Sequence, residues 1–104
     1  MAGNNGSTFS TQAINTPAIA SAATALAANS ARIAWSIQNQ GTNPLFVLLG
    51  SGATTSVYHA ILKGSTVDSD GTGGTYSMEA GTIYNGIVTV AGTSPKYTVT
   101  EIAT

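Results

Sequence analysis

The side chains that could do chemistry are few and scattered. His59 is the only histidine, and there is no cysteine. A metal centre would therefore have one imidazole and no thiolate to draw on. Tyr58 and Ala60 flank His59, and no residue beside it completes a nucleophilic triad. In a strand, such a histidine reads as a packing residue or a surface hydrogen-bonder. The stretch Asp68-Ser69-Asp70-Gly71-Thr72-Gly73-Gly74 is more suggestive. Two aspartates two apart, followed by glycine, resemble the front of a calcium loop. Counted from Thr66, however, the place of the bidentate glutamate falls on Ser77, and the nearest acid is Glu79. A glycine-rich turn between strands accounts for the same residues. The run Gly71–Gly74 also lacks the Lys and Ser/Thr that follow in a phosphate-binding loop.

The four carboxylates, Asp68, Asp70, Glu79 and Glu101, form no pair suited to glycosidic acid–base work. Trp35, Tyr58, Tyr76, Tyr84 and Tyr97 could form a sugar-stacking face, or could serve as core and cross-strand pairs. The chain is expected to be no enzyme and to use no cofactor.

These residues sit on a chain that is nearly free of charge. Of 104 residues, 7% are charged, against roughly 25% in an ordinary soluble domain, and the net charge is −1. Such a surface projects almost no long-range field, so neither nucleic acid nor membrane is expected as a partner. Arg32, Lys63 and Lys96 are the only cations that could pair with phosphate, and they are far apart in sequence. Thr, Ser, Asn, Gln and Gly supply the polarity instead. That composition suits a surface largely covered by neighbours or coated with neutral hydroxyls. The length is that of one domain. The N-terminal stretch MAGNNGSTFSTQ has neither the basic region nor the apolar core of a secretory signal.

The elements that must position these residues read as strands. Residues 1–16 are rich in Gly, Asn, Ser and Thr, and read as a flexible, extended N-terminal arm, free or laid onto a partner. Phe9 and Ile14 are its isolated apolar residues. Residues 17–30 are ambiguous. Alanine favours helix and Pro17 suits a helix start, but Ile19 and Leu26 are the only large apolar residues there, seven apart. The reading leans to a strand over 22–28. Ile33, Trp35 and Ile37 alternate with Ala34, Ser36 and Gln38, the period of a strand with one buried face. Asn39 to Pro44 is a turn in which Gly41 can take positive φ and Asn43 tolerates it. Leu45-Phe46-Val47-Leu48-Leu49 is apolar throughout. Such a run is buried on both faces, or on one face and in a subunit contact. Further strands are expected at 57–62, 75–78, 82–84, 87–90 and 97–102, with Asn85-Gly86 a hairpin turn or a bulge. Short strands at fairly even spacing imply an all-β fold.

From Arg32 to Gly50 the chain resembles small virion proteins of tailed bacteriophages. The residues that carry the resemblance are the Ala/Asn run, Arg32, Ile37-Gln38-Asn39, Gly41-Thr42-Asn43-Pro44 and the apolar strand ending at Gly50. Leu62-Lys63-Gly64, Asp70–Gly74, Gly81–Tyr84 and Tyr97–Glu101 extend it over roughly residues 22–102. The resemblance implies an antiparallel, jelly-roll-like β-sandwich over 17–104, preceded by the arm. It implies a capsid decoration, or cement, protein on the outer capsid surface of the virion. Its partners would be the major capsid protein and its own copies in a homotrimer. The residues expected at those contacts are Phe9, Ile14, Asn43, Phe46 and Leu48. Two alternatives stand beside it: a neck, tail or head-fibre protein, and a carbohydrate- or host-surface-binding β module.

Overall fold

The computed structural model describes residues 8–15, 19–78 and 84–103, with the backbone alone for residues 8–15 and 19–22. In chain order the strands are β1 (Thr8–Asn15), β2 (Ile19–Leu26), β3 (Arg32–Asn39), β4 (Leu45–Leu49), β5 (Ala60–Leu62), β6 (Thr75–Ser77), β7 (Val88–Gly92) and β8 (Lys96–Ala103). No helix occurs among the described residues. One sheet has the order β1-β8-β3-β6, the other β2-β7-β4-β5. Every named pair is antiparallel. Consecutive strands alternate between the two sheets of the β-sandwich except at β4–β5.

Alternation along each strand supplies the core between the sheets. Trp35, Ile37, Tyr97 and Val99 come from one sheet, and Leu26, Leu45, Val47, Leu62, Val88 and Val90 from the other, in one buried cluster. β7 is central in its sheet and buried at all five positions. On its outward side Thr89 is covered by the segment after β4: its hydroxyl donates to the Gly50 carbonyl at 2.6 Å and accepts from the Ala53 N–H at 3.1 Å.

The alanine-rich segment is a strand, not a helix. With two large apolar residues seven apart it has no helical face to bury, whereas β2 takes its partners from β7. Residues Thr8–Asn15 are extended as expected, but they pair along their whole length with β8 of the same chain. This stretch is thus an edge strand of the sandwich rather than an arm outside it. The remainder of the expected arm, and the strand expected at 82–84 apart from Tyr84, lie outside the described residues.

Three local expectations are corrected. Ile33 does not share the buried face of Trp35 and Ile37; it is 42% exposed. Arg32 pairs with Ala103 and Ala34 with Ile102, so two residues of β3 advance against one of β8. This bulge at Ile33 turns Ile33 outward and Arg32 inward. The strand expected over 57–62 is confined to β5, because Thr54 and Val57 close a turn with paired backbone bonds of 3.0 and 3.2 Å. The Thr54 hydroxyl also accepts from Ser56 N–H and Val57 N–H. Gly41 and Asn43 do not take positive φ. Gly41 is instead fixed through its N–H, which reaches Lys96 O and Asn39 Oδ1, each at 3.0 Å.

Candidate functional site

His59 lies just ahead of β5, exposed, with its N–H bound to Val47 O at 2.7 Å. Its Nδ1 accepts the Leu49 N–H at 3.0 Å. The ring thus stands in for the strand partner that β4 lacks beyond the end of β5. Among the described residues no group of three or more His, Cys, Asp or Glu side chains is placed to hold a metal ion.

The two aspartates of the glycine-rich loop do not converge. Asp70 closes its own turn: Oδ2 accepts from Val67 N–H at 2.9 Å, and Oδ1 from Thr72 N–H at 2.9 Å and the Thr72 hydroxyl at 2.6 Å. Those bonds, the Thr72 hydroxyl foremost, hold its carboxyl below the ordinary 3.8. Asp68 turns instead to Lys96, Oδ2 to Nζ at 2.8 Å. The loop is a hydrogen-bonded turn tied to β8.

The aromatic residues do not share a face. Trp35 is buried and meets Tyr76 edge-on, with centroids 5.5 Å apart. Tyr97 lies in the core, and Tyr84 donates its hydroxyl to Ile87 O at 2.7 Å. Only Tyr58 stands outside, against Phe46 at 5.2 Å. A common sugar-stacking platform is therefore absent among the described residues.

The residues expected at subunit contacts are spread over the molecule. Phe9 and Ile14 fall in β1 opposite Ile102 and Tyr97, and their side chains lie outside the described part. Asn43 is exposed in the β3–β4 turn and donates from Nδ2 to Thr93 O at 3.1 Å. Phe46 and Leu48 are brought together. With Leu45 and Val47 fully buried, they occupy the outer face of β4, half-covered. Phe46 lies opposite Ile61, which is 50% exposed, and beside Tyr58 at 40% and near Val57 at 51%. Together these residues make an uncharged apolar ridge on the outer side of β4.

Two polar residues, in sequence a scattered cation and a turn residue, organise the fold. Arg32 sits inside, its Nε on Glu101 Oε2 at 2.8 Å. Its Nη1 reaches Tyr84 O and Gly86 O at 3.1 and 2.9 Å, and Nη2 reaches Ala27 O at 2.6 Å. Asn39, equally buried, donates from Nδ2 to Asn43 O, Leu62 O and Lys63 O. The available signal was position: each is a polar residue at one end of the clearest alternating strand.

No protein-family model and no curated protein matches the sequence. Among solved structures, the fold is similar to that of a chain from Bacillus endospore appendages, described as a family of disulfide-linked pili. The identity is 20%, the TM-score 0.52, and the match covers 100% of this chain and 96% of the other. It bears out the all-β sandwich. It also corrects the functional expectation: the likeness runs to a pilus family and not to a phage capsid decoration protein, and it supports neither a major capsid protein partner nor a homotrimer.

Proposed function

We propose that this chain is a non-enzymatic structural subunit that associates with its own copies into a pilus-like polymer. The observation that carries this reading is the end-to-end likeness of the fold to the endospore-appendage chain. Two features of the molecule support it. The surface carries so little charge that close approach of identical copies meets almost no net repulsion. Among the described residues, each sheet also ends in strands with one unpaired side, β1 and β6 in one, β2 and β5 in the other. Unpaired strand edges are ready acceptors for further backbone pairing.

The linkage cannot be the one named for the structural neighbour. This chain has no cysteine, so its polymer would be held without disulfides. The test is negative-stain electron microscopy and light scattering of the purified chain over a concentration series. Filaments whose formation is indifferent to reducing agent are expected. A species that stays at the 10.4 kDa of one chain at every concentration would rule the reading out.

A further inference from the structure

Among the described residues one asparagine is followed by glycine, Asn85-Gly86, in the segment just ahead of β7. Asparagine is thermolabile, and most so before glycine. The next main-chain nitrogen can then reach the side-chain amide carbon with no Cβ in the way. The other asparagines whose side chains are described are held or blocked. Asn39 is buried, with Nδ2 on three carbonyls and Oδ1 on the Gly41 N–H. Asn43 precedes proline, whose nitrogen carries no proton. Asn29 precedes serine, and its Oδ1 accepts the Ala31 N–H at 3.0 Å. Asn85 is exposed, and among the described residues its Nδ2 is tethered only by a 3.5 Å approach to Ser30 O. Asp70-Gly71 could close the same ring, but both carboxylate oxygens of Asp70 are already engaged by Val67 and Thr72.

The main chain around Asn85 is gripped on both sides. Tyr84 O and Gly86 O both accept from Arg32 Nη1, at 3.1 and 2.9 Å, and Asn85 O accepts the Asn29 N–H at 2.8 Å. The last bond polarises the Asn85–Gly86 peptide, and the guanidinium beside it favours negative charge on the peptide nitrogen. Tyr84 also lies across Gly86, where a Cβ would run into its hydroxyl and ring. The fold thus requires the glycine that makes Asn85 labile. We propose that Asn85 deamidates spontaneously in the folded protein, and that its isoaspartyl product loosens the Arg32 hub. The Gly86 nitrogen gives up its proton and attacks Asn85 Cγ. The Cγ–Nδ2 bond breaks, and the amide nitrogen leaves as ammonia with that proton. Water then opens the cyclic imide at either carbonyl. One opening gives aspartate. The other gives isoaspartate, whose main chain runs through the former side chain and is longer by a methylene. Either product adds a carboxylate to a chain whose net charge is −1. The isoaspartyl link also separates Tyr84 O from Gly86 O, so Arg32 Nη1 loses the pair of carbonyls it holds. This site does not depend on the polymer reading.

The test is peptide mapping of the full chain during incubation at neutral and mildly alkaline pH. Trypsin cuts after Arg32, Lys63 and Lys96, so residues 64–96 form a peptide in which Asn85 is the only amide side chain. Conversion of that peptide to the mass of the acid is expected at least about tenfold faster than conversion of 33–63, which carries Asn39 and Asn43. The rate should rise with alkalinity, because the attacking nitrogen must lose its proton. Asn85→Gln is expected to melt like the parent and to keep the peptide's mass. The aged acidic form is separated by anion exchange, and mapping assigns its new charge to residue 85. It is expected to melt below fresh protein and below Asn85→Asp, which has the charge without the longer main chain. A 64–96 peptide that keeps its mass in the folded chain would overturn the proposal, and gain in urea alone would then show that the Arg32 grip protects Asn85. Aged protein that melts like Asn85→Asp would overturn the loosening of the hub.

Discussion

Arg32 and Glu101 stand 69 residues apart in the chain and meet at 2.8 Å, with the arginine side chain fully withdrawn from solvent and the glutamate 18% exposed. The guanidinium also binds the carbonyls of Ala27, Tyr84 and Gly86. One side chain thus ties the start of β3, the end of β8, the β2–β3 turn and the segment ahead of β7.

Removing Arg32 strands a carboxylate and three carbonyls. Arg32→Ala is expected to cost about 3–5 kcal/mol, the range for breaking a buried ion pair from one side. Glu101→Gln retains an oxygen acceptor for Nε but leaves the withdrawn guanidinium without a counter-charge, and should cost about 1.5–3 kcal/mol. Urea denaturation of the two variants checks the ordering. Equal losses would show that the charge, not the hydrogen bond, dominates.

Gly73 marks the closest approach between the glycine-rich loop and β3. A Cβ there would run into the carbonyl of Asn39 and lie 3.0 Å from Ser65 Oγ. Gly71, two residues earlier, has φ +83° but open space around it. Gly71→Ala should cost about 1–2 kcal/mol from backbone strain alone. Gly73→Ala must also shift main chain and should cost about 3 kcal/mol or more. Thermal melts of the pair would expose a loop looser than described if Gly73→Ala proved the milder change.

Tyr97 carries a hydroxyl that is buried without a hydrogen-bond partner among the described residues. Tyr97→Phe removes that unsatisfied group while keeping the ring, and is expected to stabilise by about 1 kcal/mol. Burial raises the phenol above its ordinary 10.0. Its contribution is therefore fully present below pH 10.0 and lost as pH rises through the raised folded value. The parent should weaken under alkali more steeply than Tyr97→Phe. Parallel stability–pH curves above pH 10.0 would contradict the assignment.

Asp70 holds its turn most tightly as a carboxylate. Its acidity is increased, chiefly by the Thr72 hydroxyl, so its share of the loop's order is complete above pH 3.8 and is lost as pH falls through the lower folded value. Near neutral pH, Asp70→Asn should speed amide exchange at Val67 and Thr72, whose N–H groups it holds. The parent should match that exchange only under acid. Unchanged protection in the variant would assign the loop's order to the Asp68–Lys96 pair instead.

The ridge was half legible. The unbroken apolar run Leu45–Leu49 required burial on one face and left the other face open to a contact. The structure confines full burial to Leu45 and Val47 and brings Tyr58 and Ile61 to the outward side of Phe46. Ala34, Ser36, Ser77 and Thr100 are unremarkable singly and become one surface only through the register of three strands.

The sequence by itself determined that the chain is β-rich from Arg32 onward, through period-two alternation and turn residues at short intervals, while the alanine-rich stretch 17–30 became a strand only through its pairing with β7. It determined that ion pairs could contribute at few places, from the count of charges alone. Tertiary structure decided the rest where contacts span long separations. The bulge that turns Arg32 inward and Ile33 outward depends on Glu101 and on three distant carbonyls, none of which is encoded near residue 32. Likewise β1 becomes a strand of the sandwich because β8 offers it a full edge, although its own composition has too little apolar surface to order itself. Local pattern fixes which way a residue alternates; only the partner strand fixes what it meets.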